Sequence, residues 1–251
     1  SMLATIITEE QWLKLKSILL DLNIYDKPSL KETFLGIIYR LKTGCQWRYL
    51  PSCYGKANTV FKAFRRWSAS GLFYRLFKRL IKDADMEWVS IDATHVRAHQ
   101  SSAGSAGDDY QYIAKSVGGN SSKIHLAVDA HGNPIEFIVS DGVTHDIKIA
   151  PMLLQLLDLQ DTEFLNADKG YDSEEFRSLA YSQGVRANIP RKKNARTSNS
   201  HMDWLIYQAR HVVENTFASL KHYRALSSRY DKLLSSYIST VALACGLIWL
   251  K

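Results

Sequence analysis

At 251 residues, 46% hydrophobic and 23% charged, the chain has the composition of a globular protein with room for a substantial core. Its cysteines, Cys45, Cys53 and Cys245, are odd in number and lack zinc-ligand spacing, and its most apolar run, Val241 to Leu250, is too short to cross a bilayer; this argues against a disulfide framework, a zinc site and a membrane span. The net charge of +7 is segregated: residues 1–83 carry 15 Lys/Arg against 6 Asp/Glu, residues 84–183 carry 6 against 16, and residues 184–251 carry 11 against 3.

Two basic flanks around an acidic centre point to polyanion-binding ends and a middle that demands a cation. Ser1 ahead of Met2 reads as a cloning remnant, and no signal peptide is expected before the first polar helix. Thr8-Glu9-Glu10-Gln11 and Ser29-Leu30-Lys31-Glu32 both have the form of a capping box. Each opens an apolar-periodic run: Trp12, Leu15, Leu19 and Leu22 in the first, and Phe34, Ile37, Ile38 and Leu41 in the second, which stops near Gly44. After the turn-rich stretch Pro51 to Asn58, a third helix turns Val60, Phe61, Phe64 and Trp67 inward and Lys62, Arg65 and Arg66 outward. Gly71 ends it, and Leu72 to Ile81 makes a fourth. Such helices fit a helix-turn-helix-like module that contacts DNA through Lys62, Arg65 and Arg66, and equally a helical bundle with a solvated basic face. Residues 1–84 are expected to form this unit.

From Glu87 the period changes to that of strands. Glu87 to Ile91 is expected to be a strand ending in Asp92. Residues 101–122, with Gly104, Gly107, Gly118, Gly119 and six serines, are expected to be a mobile loop. Ile124 to Val128 and Ile135 to Val139 read as strands joined by a hairpin connection, and Ile147 to Leu157 as a helix. Glu163 to Ala167 is a further strand with Asp168 at its C-terminal end, Ser173 caps a helix through Tyr181, and Val185 to Ile189 is the last strand. The basic loop that follows offers Arg191, Lys192, Lys193 and Arg196 either as DNA-backbone contacts or as solvated charges. A long helix from about Asp203 to Lys221 comes next, and residues 226–251 are expected to be a helical segment packing on the core or in a dimer. The order β-β-β-α-β-α-β-α over residues 85–225 predicts a mixed α/β, ribonuclease-H-like core.

The long helix carries Tyr207, Arg210, Glu214 and Lys221, spaced by 3, 4 and 7 residues. At about 100° per residue that spacing lines them along one helix face. The stripe is either a surface with i,i+4 charge pairs or a device that holds a metal ion and a phosphate together. Asp92 and Asp168 fall at expected strand ends, where ligand sites gather in sheets of this kind. Three carboxylates converging there need a strong cation, and oxygen-only ligands favour Mg²⁺ or Mn²⁺ over Zn²⁺. Two such ions, roughly 3.5–4 Å apart, support in-line displacement at phosphorus. The implied chemistry is phosphodiester hydrolysis or strand transfer. Asp172 is a candidate for backing the metal ligands or simply a helix N-terminal acid, and Lys123 and His125 share one strand face that could point at the site.

Several motifs then fall in order: Thr43-Gly44-Cys45-Gln46-Trp47-Arg48-Tyr49-Leu50-Pro51, Phe64-Arg65-Arg66-Trp67, Ser90-Ile91-Asp92-Ala93-Thr94, and Gly118-Gly119 leading to Lys123-Ile124-His125-Leu126-Ala127-Val128-Asp129. Ala167-Asp168-Lys169-Gly170-Tyr171-Asp172 follows, then Arg210, Glu214, Phe217, Leu220 and Lys221, and Arg229-Tyr230-Asp231-Lys232. Over nearly its whole length the chain resembles DDE-type bacterial insertion-sequence transposases, of the insertion-sequence-five branch related to PIF/Harbinger. The resemblance implies a catalytic, metal-holding triad of Asp92, Asp168 and Glu214, with Tyr207, Arg210 and Lys221 as accessory residues on the phosphate side. It implies two Mg²⁺ ions with DNA bound, Mn²⁺ substituting, and double-stranded DNA as partner, both element terminal inverted repeats and target DNA. A homodimer on DNA, in a bacterial cytoplasm and associated with the nucleoid, is implied likewise. Residues 101–117 are less basic than that family's linker. The rival readings are a ribonuclease-H-like nuclease or resolvase without strand transfer, and a domesticated DNA-binding regulator.

Overall fold

The computed structural model describes residues 7–99, 114–116, 119–193 and 195–250, so most of the expected Gly/Ser-rich loop lies outside the described residues. The chain divides into two compact units. One holds residues up to 82 together with 98–99 and those from 220 on; the other holds 83–97 and 114–219.

The first unit is helical. Helices α1 (Glu9–Asp21), α2 (Leu30–Thr43), α3 (Ala57–Ala69) and α4 (Leu72–Leu80) bury one apolar face each. The Thr8 capping box forms, with Gln11 N–H donating to Thr8 Oγ1 at 3.1 Å and Thr8 N–H to Gln11 Oε1 at 2.8 Å. The expected box at Ser29 does not. Its backbone is not extended (φ −92°, ψ 12°), because a turn from Lys27 leads into the helix, and its side chain makes no capping bond. Gly44 ends α2 at φ +67°, where a Cβ would stand 3.0 Å from Arg224 Cβ, so glycine is required twice over. Phe34 is the hub of the core, its ring centroid 6.2 to 6.4 Å from those of Trp12, Trp67 and Phe73. The apolar C-terminal run forms a helix, Leu234–Ile248, that packs on α4 and α3. Gly246 lets it approach so closely that a Cβ there would lie 3.1 Å from Leu80 Cδ1. Residues 44–56 link α2 to α3 through two short 3₁₀ turns, Trp47–Tyr49 and Ser52–Tyr54, whereas Ser70 and Gly71 alone join α3 to α4.

The second unit is a mixed sheet with helices. Its strands are β1 (Trp88–Ala98), β2 (Ala114–Ser116), β3 (Gly119–Val128), β4 (Pro134–Asp141), β5 (Phe164–Asn166) and β6 (Arg186–Asn188). β3 runs antiparallel to β1 on one edge, and on its other edge it pairs antiparallel with β2 over Gly119–Ser121 and with β4 over Ser122–Val128. β5 lies parallel to β1 on β1's far side, and β6 parallel to β5, giving the order β4-β3-β1-β5-β6. Helices α5 (Asp146–Gln155), α6 (Glu174–Ser182), α7 (Trp204–Gln208) and α8 (His211–Lys221) complete the unit. β1 runs on past the expected end at Ile91, because Thr94 and Val96 extend the ladder to β3 as far as Arg97. Asp92 therefore sits within the strand, not at its end. Residues directly opposed in a ladder share a face. Lys123 and His125 oppose His95 and Ala93, whereas Asp92 opposes Leu126, so Lys123 and His125 lie on the other sheet face.

Candidate active site

The expected single helix from 203 to 221 is two. At Ala209 and Arg210 the backbone tightens to i→i−3 bonds, with Ala209 N–H donating to Ile206 O and Arg210 N–H to Tyr207 O, both at 3.0 Å. The break has a tertiary cause. Asn188, at the end of β6, donates through Nδ2 to Asp203 O and accepts from Asp203 N–H, both at 2.9 Å. Asp203 in turn caps α7 by accepting from Leu205 and Ile206 N–H. α7 is thus pinned to the sheet while α8 docks elsewhere. Thr216 Oγ1 donates to Gly132 O in the β3–β4 turn, and Gly132 (φ +83°) leaves Val212 room: a Cβ would meet Val212 Cβ at 3.1 Å.

This arrangement sets the charged groups. From the start of α8, Arg210 Nη2 donates to Glu214 Oε1 at 2.7 Å, one helical turn on, and its Nη1 lies 3.4 Å from Asp92 Oδ2. One guanidinium thus bridges a strand carboxylate and a helix carboxylate. Asp92 Oδ1 accepts from Ala93 N–H at 2.8 Å, and Asp168 Oδ1, just past β5, accepts from Gly170 N–H at 2.6 Å. Burial pushes the Asp92 carboxyl above its usual range; the Ala93 N–H and Arg210 oppose this, and Asp168 and Glu214 add to it by like-charge repulsion. Although burial opposes it, Arg210 is held above the usual guanidinium range by Asp92, Tyr207 and Glu214. Tyr171, buried at the end of the 3₁₀ turn that Asp168 caps, has its phenol raised by burial first and then by Asp146, Asp92 and Asp168. Tyr207 stays beside Arg210 despite the break, its ring centroid 5.9 Å from the guanidinium carbon, and packs edge-on against Trp204. Among the described residues no three His, Cys, Asp or Glu side chains stand close enough together to form a ready-made metal cage. Among the described residues, Arg210 is the cation that pairs with carboxylates of this group, Asp92 and Glu214.

Lys62, Arg65 and Arg66 are exposed on α3: Lys62 and Arg66 line a cavity of about 440 Å³ with Lys27 and Tyr25, and Arg65 lines another of about 380 Å³. Lys221 is exposed at the end of α8, two turns after Glu214. In the basic loop Arg191 is not free. It pairs with Asp172 at 3.5 Å and with Glu174, while Lys192 N–H donates to Asp172 Oδ2 at 2.8 Å. Lys193 and Arg196 are exposed. Asp172 is therefore the anchor of that loop, also gripped by Arg177 at 2.8 Å. Its carboxyl is held low by the Lys192 N–H and by Arg177, against the opposing effect of burial. Arg177, only 3% exposed, also donates to the Ala187 and Ile189 carbonyls; nothing in its sequence neighbourhood marks it. Lys123 donates to Asp146 at 2.9 Å and His125 meets Ser140 at 2.7 Å, away from Asp92.

The chain belongs to the transposase DDE domain family, whose model matches residues 83–249. It is accordingly a DDE transposase of insertion-sequence type, an enzyme that cleaves and transfers DNA. A second model, described as "Putative transposase of IS4/5 family", matches residues 7–77. The chain is 34% identical over 131 residues to the Brucella ovis "Putative transposase for insertion sequence element IS6501", covering 52% of this chain and 98% of that one. It is 30% identical over 139 residues to the Burkholderia cepacia "Putative transposase for insertion sequence element IS402", covering 51% and 62% respectively. A pre-cleavage Mos1 transpososome is a distant structural match, with a TM-score of 0.30 at 11% identity over 91% of this chain and 82% of that one. A likeness that remote supports no argument about this site. Among the described residues no helix is long and apolar enough to cross a membrane.

Proposed function

We propose that the protein binds the terminal inverted repeats of its element, cleaves at the element ends and transfers the 3′-hydroxyls to target DNA, with Asp92, Asp168 and Glu214 as the catalytic carboxylates. The observation that carries this reading is the bridge of Arg210 between Asp92 and Glu214, with Asp168 near enough to raise the Asp92 carboxyl. The sheet order β4-β3-β1-β5-β6, with its parallel β1-β5-β6 half, supports a ribonuclease-H-like core.

The donor set fits a hard divalent cation. It is all carboxylate oxygen, and burial, with Asp168 and Glu214 adding to it, disfavours the ionised Asp92 carboxyl even with Arg210 in place. Asp92, Asp168 and Glu214 would hold Mg²⁺, or Mn²⁺ in its stead. Held by these carboxylates, such ions would supply Lewis acidity for transfer at phosphorus. Backbone N–H groups of Ala93 and Gly170 fix the Asp92 and Asp168 carboxylates in orientation. Arg210 turns from the carboxylates to a backbone phosphate when DNA arrives, joined there by Lys221 and Tyr207. The helical unit acts as the end-recognition module, with Lys62, Arg65 and Arg66 on phosphates, and Lys193 and Arg196 track the backbone beyond it. Two ends are handled together by a homodimer assembled on DNA.

The test is Mg²⁺-dependent cleavage and joining on duplexes carrying the element's own ends. Joined products are expected, and Asp92→Asn, Asp168→Asn and Glu214→Gln should each abolish them while DNA binding survives. Hydrolysis of precut ends without any joined product would leave a nuclease, and undiminished joining by Asp92→Asn would remove that residue from the site.

A further inference from the structure

The helical unit holds a second built site. A cavity of about 380 Å³, at the low end of the roughly 300–1,000 Å³ usual for small-molecule sites, opens between the 3₁₀ segment after α2, the face of α3 and the segment before the C-terminal helix. Its walls include three aromatic rings, Trp47, Phe61 and Tyr230, with Trp47 and Phe61 centroids 5.5 Å apart. Two exposed cations, Arg65 and Lys232, stand at the same cavity. Arg40 also lines it. Its guanidinium carbon lies 5.2 Å from the Trp47 ring centroid, and its two terminal nitrogens hold Asp231 at 3.4 and 3.1 Å. Arg40 is only 6% exposed, yet its Nε–H has no hydrogen-bond partner. A buried guanidinium nitrogen left without an acceptor is costly and marks a place where an acceptor is missing.

These features specify a ligand. Aromatic faces bind another flat ring by stacking, surface cations bind a phosphate, and a buried N–H donor beside a carboxylate reads the polar edge of a ring. A nucleotide has all three parts. In a duplex both faces of a base are stacked and its edge is paired, so only an unpaired nucleotide can present them here. We propose that this cavity takes one unpaired nucleotide of a DNA strand, the base against Trp47 and Tyr230 with its edge toward Arg40 and its phosphate on Arg65 and Lys232. The proposal rests on the DNA-transfer reading, because cut element ends are a source of unpaired nucleotides, and it places a strand-end grip in the unit that lacks the carboxylates.

The test compares three otherwise identical duplexes in equilibrium binding: blunt, with one unpaired terminal nucleotide, and with an abasic residue in that place. Stacking on aromatic side chains is worth roughly 5- to 150-fold per base, so wild type should bind the unpaired nucleotide about tenfold more tightly than the blunt or abasic form. A 2-aminopurine at that position should lose fluorescence on binding. In Trp47→Leu and in Tyr230→Ala the affinity ratio should fall to about one. Tyr230 is 48% exposed, so its variant folds even where Trp47→Leu does not. Equal binding of all three duplexes by wild type, or a ratio unchanged in Tyr230→Ala, overturns the proposal alone. Failure to bind any duplex overturns it together with the DNA-transfer reading.

Discussion

Arg210 and Glu214 are joined at 2.7 Å across one helical turn, and the same guanidinium lies 3.4 Å from Asp92 on a strand far away in sequence. A cation already seated between two carboxylates competes with any divalent ion for their oxygens. Arg210→Gln should therefore tighten Mn²⁺ binding several-fold in the absence of DNA, read by calorimetry, while slowing DNA cleavage by tenfold or more. It also removes one of the groups that lower the Asp92 carboxyl, so the acid limb of the cleavage pH profile should move to higher pH. Weaker or unchanged Mn²⁺ binding would mean that Arg210 shapes the site instead of blocking it.

The sequence carried some of this and not the rest, for physical reasons. The Arg210–Glu214 pair follows from i,i+4 spacing alone, and Asp168 lies past its strand because β5, Phe164–Asn166, is short and ends before it. Asp92 was harder, because a carboxylate inside a strand looks like a strand end until the pairing partner, β3, is known. The break at Ala209 has no Gly or Pro to announce it; it arises from Asn188 clamping Asp203, a contact between residues distant in sequence. Arg191 reads as a free surface charge, yet Asp172 and Glu174 hold it. Charge type is local information, whereas which charge is already satisfied is tertiary.

Gly132 supplies a test of how α8 is positioned. Alanine there meets the left-handed backbone at φ +83° and a 3.1 Å contact with Val212 Cβ. The backbone strain alone costs about 1–2 kcal/mol, and the contact pushes α8 away from the β3–β4 turn. Gly132→Ala should lower the melting temperature by about 2–8 °C and reduce cleavage more than Thr216→Val, which removes only the hydroxyl bonds, about 1 kcal/mol. Equal effects of the two on cleavage would show that the position of Glu214 does not depend on this turn.

His125 should make stability fall in mild acid. Burial first of all, helped by Lys123 and opposed by Asp146, pushes its imidazole down to about 4. The folded protein thus keeps it neutral, while the unfolded chain takes up a proton from about pH 6.5 downward. Its contribution is complete above pH 6.5 and drains away as pH falls toward 4, on the order of 3 kcal/mol in all. Urea midpoints at pH 7.5 and pH 5 should differ markedly in wild type and much less in His125→Gln. A pH dependence that survives the substitution would assign it to another group.

The buried pair Arg40–Asp231 should be tightly coupled. The two side chains are 8% and 6% exposed, and Asp231 also accepts from Thr240 Oγ1 at 3.1 Å. Removing either partner strands the other charge away from water, which costs about 3–5 kcal/mol, whereas replacing both by apolar groups removes the stranded charge as well. Arg40→Met and Asp231→Leu should each lower the urea midpoint strongly, and the double variant should lose much less than the two losses combined. Near-additive losses would mean that each residue is held by its other neighbours, Arg40 by Trp47 and Asp231 by Thr240, and that the ion pair itself contributes little.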